Sequence, residues 1–275
     1  MKSSEPHLPK SDPPLQEVRI LGARLTFTDE NEGDGSRDRP VFFMVHGVPG
    51  SVRDFRYLAP PLLPFARIIR VDLPGSGGSA PRRKALRSLE ERARTVVALA
   101  DHLRVDRFGI IGHSMGGGTA LVTASMLPDR VTHLVMIASM GLRRHRGLSQ
   151  TRTVFRAIAV GLRIPVVRDL LLRKIRPTYR KKKFPRSEEM TSEEFALQFD
   201  SFSAADYTVA NRAVRKPLPS KCLVALADDD HLVESEIPLE LAAAIPGARA
   251  LHFADGGHII QKTKAPEIAR AILEL

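Results

Sequence analysis

Apolar residues recur along the chain in two rhythms, short unbroken runs and longer stretches spaced by three and four, and these alternate with one long interruption. Val41-Phe42-Phe43-Met44-Val45 is an unbroken run, as expected of a parallel strand covered on both faces. Arg67 to Val71, Arg107 to Ile111, Val131 to Ala138, Lys221 to Ala227 and Ala248 to Phe253 read as further strands. Ahead of them, Val18 to Leu21 and Arg24 to Thr28 alternate as the arms of a hairpin turning at Gly22-Ala23. Helical patterns fall in between. A short one starts at Ser51 or Asp54 and reaches about Leu63, and another runs from Ser88, with Glu90 and Glu91 in its first turn, to Leu103 on Ala93, Val96, Val97, Ala100 and Leu103. Others cover Thr119 to Leu127, Glu236 to Ile245 and Pro266 to Leu275. Strands separated by helices imply an α/β fold, a mostly parallel sheet doubly wound with helices on both faces.

The interruption follows Gly141. Residues 142–216 are helical in pattern, with breaks expected at Pro165, Pro177 and Pro185, and they read as an insertion between two strands of a core made by residues 18–141 and 217–275. Residues 1–17 are polar and Pro-rich and are expected to be a disordered tail. With 275 residues, 43% of them hydrophobic, the chain can fill one sizeable core.

Charge changes the picture in one place. The net charge is +11, and fifteen cations between Arg143 and Arg186 face a single acid, Asp169, so the remainder is slightly acidic. Two readings compete for this segment. In one, the cations are the solvated face of amphipathic helices that turn Val154, Phe155, Ile158, Leu162, Val166, Val167, Leu170 and Leu171 inward. In the other, they meet an anionic membrane surface, with Arg180-Lys181-Lys182-Lys183 beside Phe184. Nucleic acid is disfavoured, since the segment carries no aromatic stacking series and no binding module. Cys222, the only cysteine, lies in an apolar run and leaves no partner for a disulfide or a thiolate metal site. No apolar stretch is long enough to span a bilayer and residues 1–17 have no apolar core of a secretory signal, so the expected location is the cytoplasm, peripheral to a membrane if the basic segment docks there.

Candidate chemistry collects where the strands end, which is where ligands bind in parallel α/β sheets. His46-Gly47-Val48 follows one strand, Asp72 another, Ser114 a third, Asp228-Asp229-Asp230 a fourth and Gly256-Gly257-His258 the last. Ser114 sits in Gly112-His113-Ser114-Met115-Gly116, a G-x-S-x-G pattern at a strand-to-helix corner. The small neighbours let strand and helix approach, the sharp turn lifts the hydroxyl clear, and the Met115 amide opens the helix. A serine needs a base for its proton, and an imidazole needs a carboxylate on its other nitrogen. The chain order serine, aspartate, histidine meets both needs.

The stretches HGVPGS, DLPGSGGS, GHSMGGG, ADDDHLV and GGH, in this order from about Arg19 to Leu275, resemble the α/β-hydrolase superfamily, with residues 142–216 in the place of its variable helical cap. The resemblance implies Ser114 as nucleophile, His258 as base and Asp230 as acid, with Asp228 as the alternative acid. It implies an oxyanion hole from the Val48 and Met115 amides, a contribution of several kcal/mol given that losing one donor costs about 3. His113 and Gly47 are candidate substrate contacts, His46 a structural residue, and Asp72 and Gly75 turn formers, with Ser76 where relatives often carry histidine. Neither cofactor nor metal is implied. Serine rather than aspartate at the elbow argues against epoxide or halide chemistry and for hydrolysis of a small-molecule carboxylic ester, lipid-like esters included. The alternatives are a carbon–carbon hydrolase of diketone acids, against which His113 stands where such enzymes often have asparagine, and a non-catalytic receptor or scaffold of the same fold. Oligomeric state is not legible.

Overall fold

Hairpin geometry starts the sheet. β1 (Gln16–Ile20) pairs antiparallel with β2 (Ala23–Glu30) around Leu21-Gly22, both at positive φ. β2 pairs antiparallel with β4 (Arg67–Asp72), and from there β3 (Val41–Val45), β5 (Phe108–His113), β6 (Val131–Ile137), β7 (Lys221–Ala227) and β8 (Arg249–Phe253) join in parallel. The computed structural model describes residues 10–31, 39–79, 88–148, 150–181 and 190–275, and among them these eight strands form one sheet in the order β1-β2-β4-β3-β5-β6-β7-β8. Residues 1–9 of the expected tail, positions 32–38 of the loop before β3, and Lys182, Lys183, Phe184, Pro185 and Arg186 lie outside the described residues.

Period-two alternation divides the core between two faces. On one face Phe43, Ile69, Ile110 and Leu134 pack against α1 (Leu89–His102) and α2 (Met115–Met126), and on the other Phe42, Met44, Ile68 and Ile111 meet Phe55, Leu58, Leu62 and α9 (Ala265–Leu273). α1 begins where the sequence indicates, because Ser88 and Glu91 close a reciprocal capping box. The stretch after β3 departs from expectation. Its helix is a single 3-10 turn, Val52–Phe55, followed by turns.

The boundary of the expected disordered tail also moves. Gln16 and Glu17 belong to β1, and residues 10–15 are held by Ser11, whose amide donates to the Arg56 carbonyl at 2.8 Å and whose hydroxyl donates to Glu30. Beneath it the fully buried Arg70 donates through Nε to Glu30 at 2.9 Å and through Nη1 to the Ser11 carbonyl at 3.1 Å. A buried guanidinium requires such partners, and they fix the chain that supplies them.

Between β6 and β7 stand α3 (Arg152–Gly161), α4 (Pro165–Lys181), α5 (Ser192–Ser203) and α6 (Tyr207–Ala213). Phe155, Tyr179, Phe195, Phe199 and Phe202 join the first three of them through ring contacts of 5.2 to 6.4 Å. Two expectations fail here. Pro165 opens a helix, as a first-turn proline can, but Pro177 does not break it: α4 runs on to Lys181, held on its inner side by Ile175 and Tyr179. Nor do all the apolar residues turn inward. Phe155 and Leu162 are buried and Ile158 and Leu171 half-buried, whereas Val154, Val167, Leu170 and Val166 are exposed, the last two by 59% and 84%. The inner stripe of α4 is Leu171, Ile175 and Tyr179, which leaves Val166 and Leu170 on the opposite side.

After β7, α7 (Glu236–Ala243) returns to the sheet, and after β8 the short α8 (Ile260–Thr263) leads into α9. No helix among the described residues is long and apolar enough to cross a membrane.

Candidate active site

The corner at Ser114 is built from backbone crowding. Ser114 has φ 54° and ψ −120°, a left-handed conformation that costs a non-glycine residue of order 1–3 kcal/mol and holds its side chain out of the strand. Glycine is needed on either side because no space exists for more: a Cβ on Gly112 would lie 2.2 Å from the Gly116 carbonyl oxygen, and one on Gly116 would lie 2.1 Å from that of Val45. The turn after β3 is pressed against the same corner, since a Cβ on Gly47 would be 3.0 Å from Ser114 Cβ. Val48 follows directly, so its amide and that of Met115, the first residue of α2, belong to the two segments that meet at Ser114.

His258 follows β8 in a 3-10 turn, Gly257–Ile259, and its ring reaches Ser114. Its Nδ1 donates to Asp230 Oδ2 at 2.7 Å, which leaves Nε2 to accept from Ser114 Oγ at 3.0 Å. Asp230 Oδ1 accepts the amides of Leu232 at 2.8 Å and Val233 at 3.0 Å. Burial opposes its charge, but the His258 hydrogen bond and those two amides outweigh burial and hold the carboxyl below its ordinary range. The neighbouring aspartates are spent elsewhere. Asp228 pairs with exposed His252 at 2.6 Å, and Asp229 accepts the Gly257 amide at 2.7 Å. Of the three acids, Asp230 alone meets His258 among the described hydrogen bonds.

The surrounding histidines and turns act as supports. His46 Nε2 accepts from the Leu73 amide at 3.0 Å, so its Nδ1 donates to the Gly47 carbonyl at 2.7 Å and ties the turns after β3 and β4 together. Asp72 accepts from Val52 N at 2.7 Å, Thr26 Oγ1 at 2.9 Å and Gly78 N at 2.9 Å, the work of a turn former. His113 is buried, and its Nε2 donates to the His258 carbonyl at 2.8 Å. Burial, with His258 close by, pushes its ring down to about 3, so it is neutral and steadies the backbone of His258. His145, ahead of α3, does likewise for the loop beyond Asp230, donating through Nδ1 to the Leu232 carbonyl at 3.0 Å.

A cleft of about 750 Å³, counting its open mouth, lies between the turns after β3 and β4 and the helix α5. Val48, Ser76, Asp54, Arg92 and Gln198 are among its lining residues, whereas His113, Gly47 and Ser114 are not; the cleft reaches the corner through Val48. Neither Arg92 nor Gln198 belongs to a motif that the sequence displays. Arg92 was detectable there, as a charged residue at an apolar position of α1, between Leu89 and Ala93.

Comparison with known proteins agrees with this architecture. Residues 40–163 match the family described as alpha/beta hydrolase fold. Over 131 residues, 47% of this chain and 34% of the relative, the chain is 39% identical to the dihydrolipoyllysine-residue acetyltransferase component of the acetoin cleaving system of Pseudomonas putida, and it thus spans about a third of that relative's length. A second relative, 2-hydroxymuconate semialdehyde hydrolase of Pseudomonas putida, is 25% identical over 96% of this chain and 95% of its own. Among solved structures, the enol-lactonase from Burkholderia xenovorans LB400 superposes with a TM-score of 0.74 over 94% of this chain and 98% of its own, at 21% identity. With the strand order, the Ser114 corner and these matches together, the chain is a protein of the α/β-hydrolase fold.

Proposed function

We propose that the chain is a serine hydrolase that cleaves a small-molecule carboxylic ester through an acyl-enzyme. The observation that carries this reading is the unbroken relay from Asp230 Oδ2 through the His258 ring to Ser114 Oγ, at 2.7 and 3.0 Å. Ser114 Oγ attacks the ester carbon while His258 Nε2 takes its proton, and the carbonyl oxygen becomes an alkoxide facing the Val48 and Met115 amides. The bond to the alcohol oxygen then breaks as His258 returns the proton to that oxygen. Water attacks the acyl-serine with His258 again as base, which releases the acid and restores Ser114. Asp230 stays ionised throughout and stabilises the imidazolium. A fluorophosphonate probe is expected to label the protein at Ser114 and to leave Ser114→Ala unlabelled; equal labelling of both would sink the catalytic reading and favour a scaffold.

A second reaction at the same site, hydrolysis of a carbon–carbon bond in a diketone acid, is favoured by the full-length match to 2-hydroxymuconate semialdehyde hydrolase. Turnover of a ring-fission dienoate without turnover of any 4-nitrophenyl ester would select it.

The insertion supplies the docking surface of this reading, an anionic membrane. Val166, Leu170, Arg173 and Pro177 recur at three-to-four spacing on the outer side of α4, and exposed Arg156 and Val160 on α3, Ile164 in the link and Lys174 on α4 join them. Apolar side chains among cations suit an interfacial helix, with each cation contributing about 1 kcal/mol at an anionic surface. Binding to vesicles of anionic lipid, with none to zwitterionic vesicles, is the expected result.

A further inference from the structure

The helical period of α1 turns Leu89, Arg92, Ala93, Val96, Leu99 and Ala100 inward, so an arginine occupies a core position. Arg92 is 3% exposed. Its Nη2 donates to Ser201 Oγ at 3.1 Å, but Nε and Nη1 have no hydrogen-bond partner, and among the described residues no carboxylate stands within ion-pair distance of it. Gln198, one turn before Ser201 on α5 and also 3% exposed, has neither amide atom paired. Both residues line the cleft that reaches Val48. A fold rarely buries an unpaired guanidinium or a bare amide, and two lining one cleft mark a place for a ligand that satisfies them.

Among the described residues, no acid on the cleft walls forms an ion pair with Arg92. Glu194 is engaged at the start of α5, where it accepts the Thr191 amide at 2.6 Å. Burial, with Asp72 nearby, pushes the half-buried Asp54 carboxyl up to about 7, so it is largely protonated in mildly acidic solution. Burial also draws Arg92 down only to about 10, which leaves it charged. The cleft is therefore lined by a cation and an amide donor, together with Ser51, Ser76 and Val48.

We propose that Arg92 and Gln198 form an anion subsite that takes a carboxylate carried by the substrate, so that the ester cleaved at Ser114 is a half-ester or a lactone acid. This rests on the serine hydrolase reading for its chemistry, but the subsite itself can be read without turnover. Arg92 meets one carboxylate oxygen with a charge-assisted hydrogen bond and the Gln198 amide meets the other. A neutral ester of the same length leaves both groups unsatisfied, which is where discrimination arises.

Calorimetric titration of the Ser114→Ala protein with glutarate, with monomethyl glutarate, with dimethyl glutarate and with inorganic phosphate separates the outcomes. Glutarate and its monoester are expected to bind, the diester to bind at least about 10-fold more weakly, and Gln198→Leu or Arg92→Met added to Ser114→Ala to weaken glutarate by about 10- to 100-fold, as loss of a hydrogen bond to a charged group does. Should Arg92→Met fail to fold by circular dichroism, Gln198→Leu carries the test. Equal binding of acid and diester, phosphate tighter than glutarate, or no binding at all would overturn the subsite. In the active protein, the kcat/KM ratio of the 4-nitrophenyl half-ester of glutaric acid to its methyl-capped analogue should fall by the same factor in Gln198→Leu. A protein that binds glutarate yet fails to react with fluorophosphonate would instead overturn the hydrolase reading and leave the subsite standing.

Discussion

The corner at Ser114 and the helices that follow β6 are held together by opposite means. At the corner, backbone lies on backbone: carbonyl oxygens stand about where Cβ atoms of Gly112 and Gly116 would go, and two hydrogen bonds set His258 between Asp230 and Ser114. In the helices α3 to α5 the contacts are side chain on side chain, an aromatic cluster at ring distances of 5.2 to 6.4 Å, with apolar residues left over on the outside. The first arrangement tolerates almost no change of shape, and the second absorbs it. Under the proposed hydrolase reading, a rigid corner with an adaptable wall can keep one chemistry while its substrate changes.

The largest expected effect tests the rigid half. Under the proposed mechanism, Ser114→Ala lowers kcat by roughly 10⁶-fold and Asp230→Asn by about 10⁴-fold, the second because the His258 tautomer is no longer fixed. Asp228→Asn, on the surface pair with His252, should stay within about threefold of wild type. An Asp228 variant as damaged as Asp230→Asn would break the assignment of the acid. Steady-state kinetics on a 4-nitrophenyl ester measures all three.

What was legible in the sequence follows the same division. Ser114, His258 and the turns after β3 and β4 carry their signal locally, in glycines forced by contact and in strands that stop beside polar residues. Three adjacent aspartates share one local signal, and only the turn that points Asp230 Oδ1 at the Leu232 and Val233 amides separates them. In the insertion the period announced helices, but α4 has more apolar residues than one face can hold, so the pattern did not say which of them face out. Pro177 signals a break because its cost is local, whereas the packing of Ile175 and Tyr179 that offsets it is not. Arg92 sat at a core position of α1 in plain view, and a reading that follows apolar residues steps over it.

A pair of glycine substitutions sharpens the comparison at the level of stability. Gly116→Ala drives a Cβ into the Val45 carbonyl oxygen at 2.1 Å, where neither strand nor helix can yield. The expected cost is about 3 kcal/mol, the upper end for overpacking, or roughly 6–12 °C in Tm for a chain of this class. Gly161→Ala, at the end of α3, meets only the tips of Leu171 at 2.8 Å and Val167 at 3.0 Å. Those side chains can shift, and alanine favours the helix by about 1 kcal/mol, so Tm should change by no more than about 2 °C. Thermal melts with equal losses for both variants would erase the distinction between the two regions.

Val166→Glu probes the outer side of α4, where substitution touches no buried contact. Stability should change by no more than about 0.5 kcal/mol, while binding to anionic vesicles should fall several-fold, because a carboxylate replaces an apolar contact in a field that repels it. Vesicle sedimentation unchanged by the substitution would remove α4 from the proposed membrane surface.

A pH-dependent effect is a difference in slope between two carboxyls, Asp54 beside the cleft and Asp230 at the corner. Burial and then Asp72 push the Asp54 carboxyl up to about 7, against the Ser51 amide and Arg56, so the native state keeps a proton that the unfolded chain releases near pH 4. Between about pH 4 and about pH 7 its ionisation works against the fold, and stability is lost as the pH rises. Asp54→Asn removes that loss, so its Tm measured against wild type should climb across this window and level off above it. Asp230 has the opposite sign. Its carboxyl is held low, so its contribution is complete above the unfolded value and is lost as the pH falls through the folded one, and the deficit of Asp230→Asn should shrink in acid. Melting curves of the three proteins from pH 3 to pH 9 read both slopes at once. Parallel curves for Asp54→Asn and wild type would mean that the cleft does not hold this carboxyl protonated.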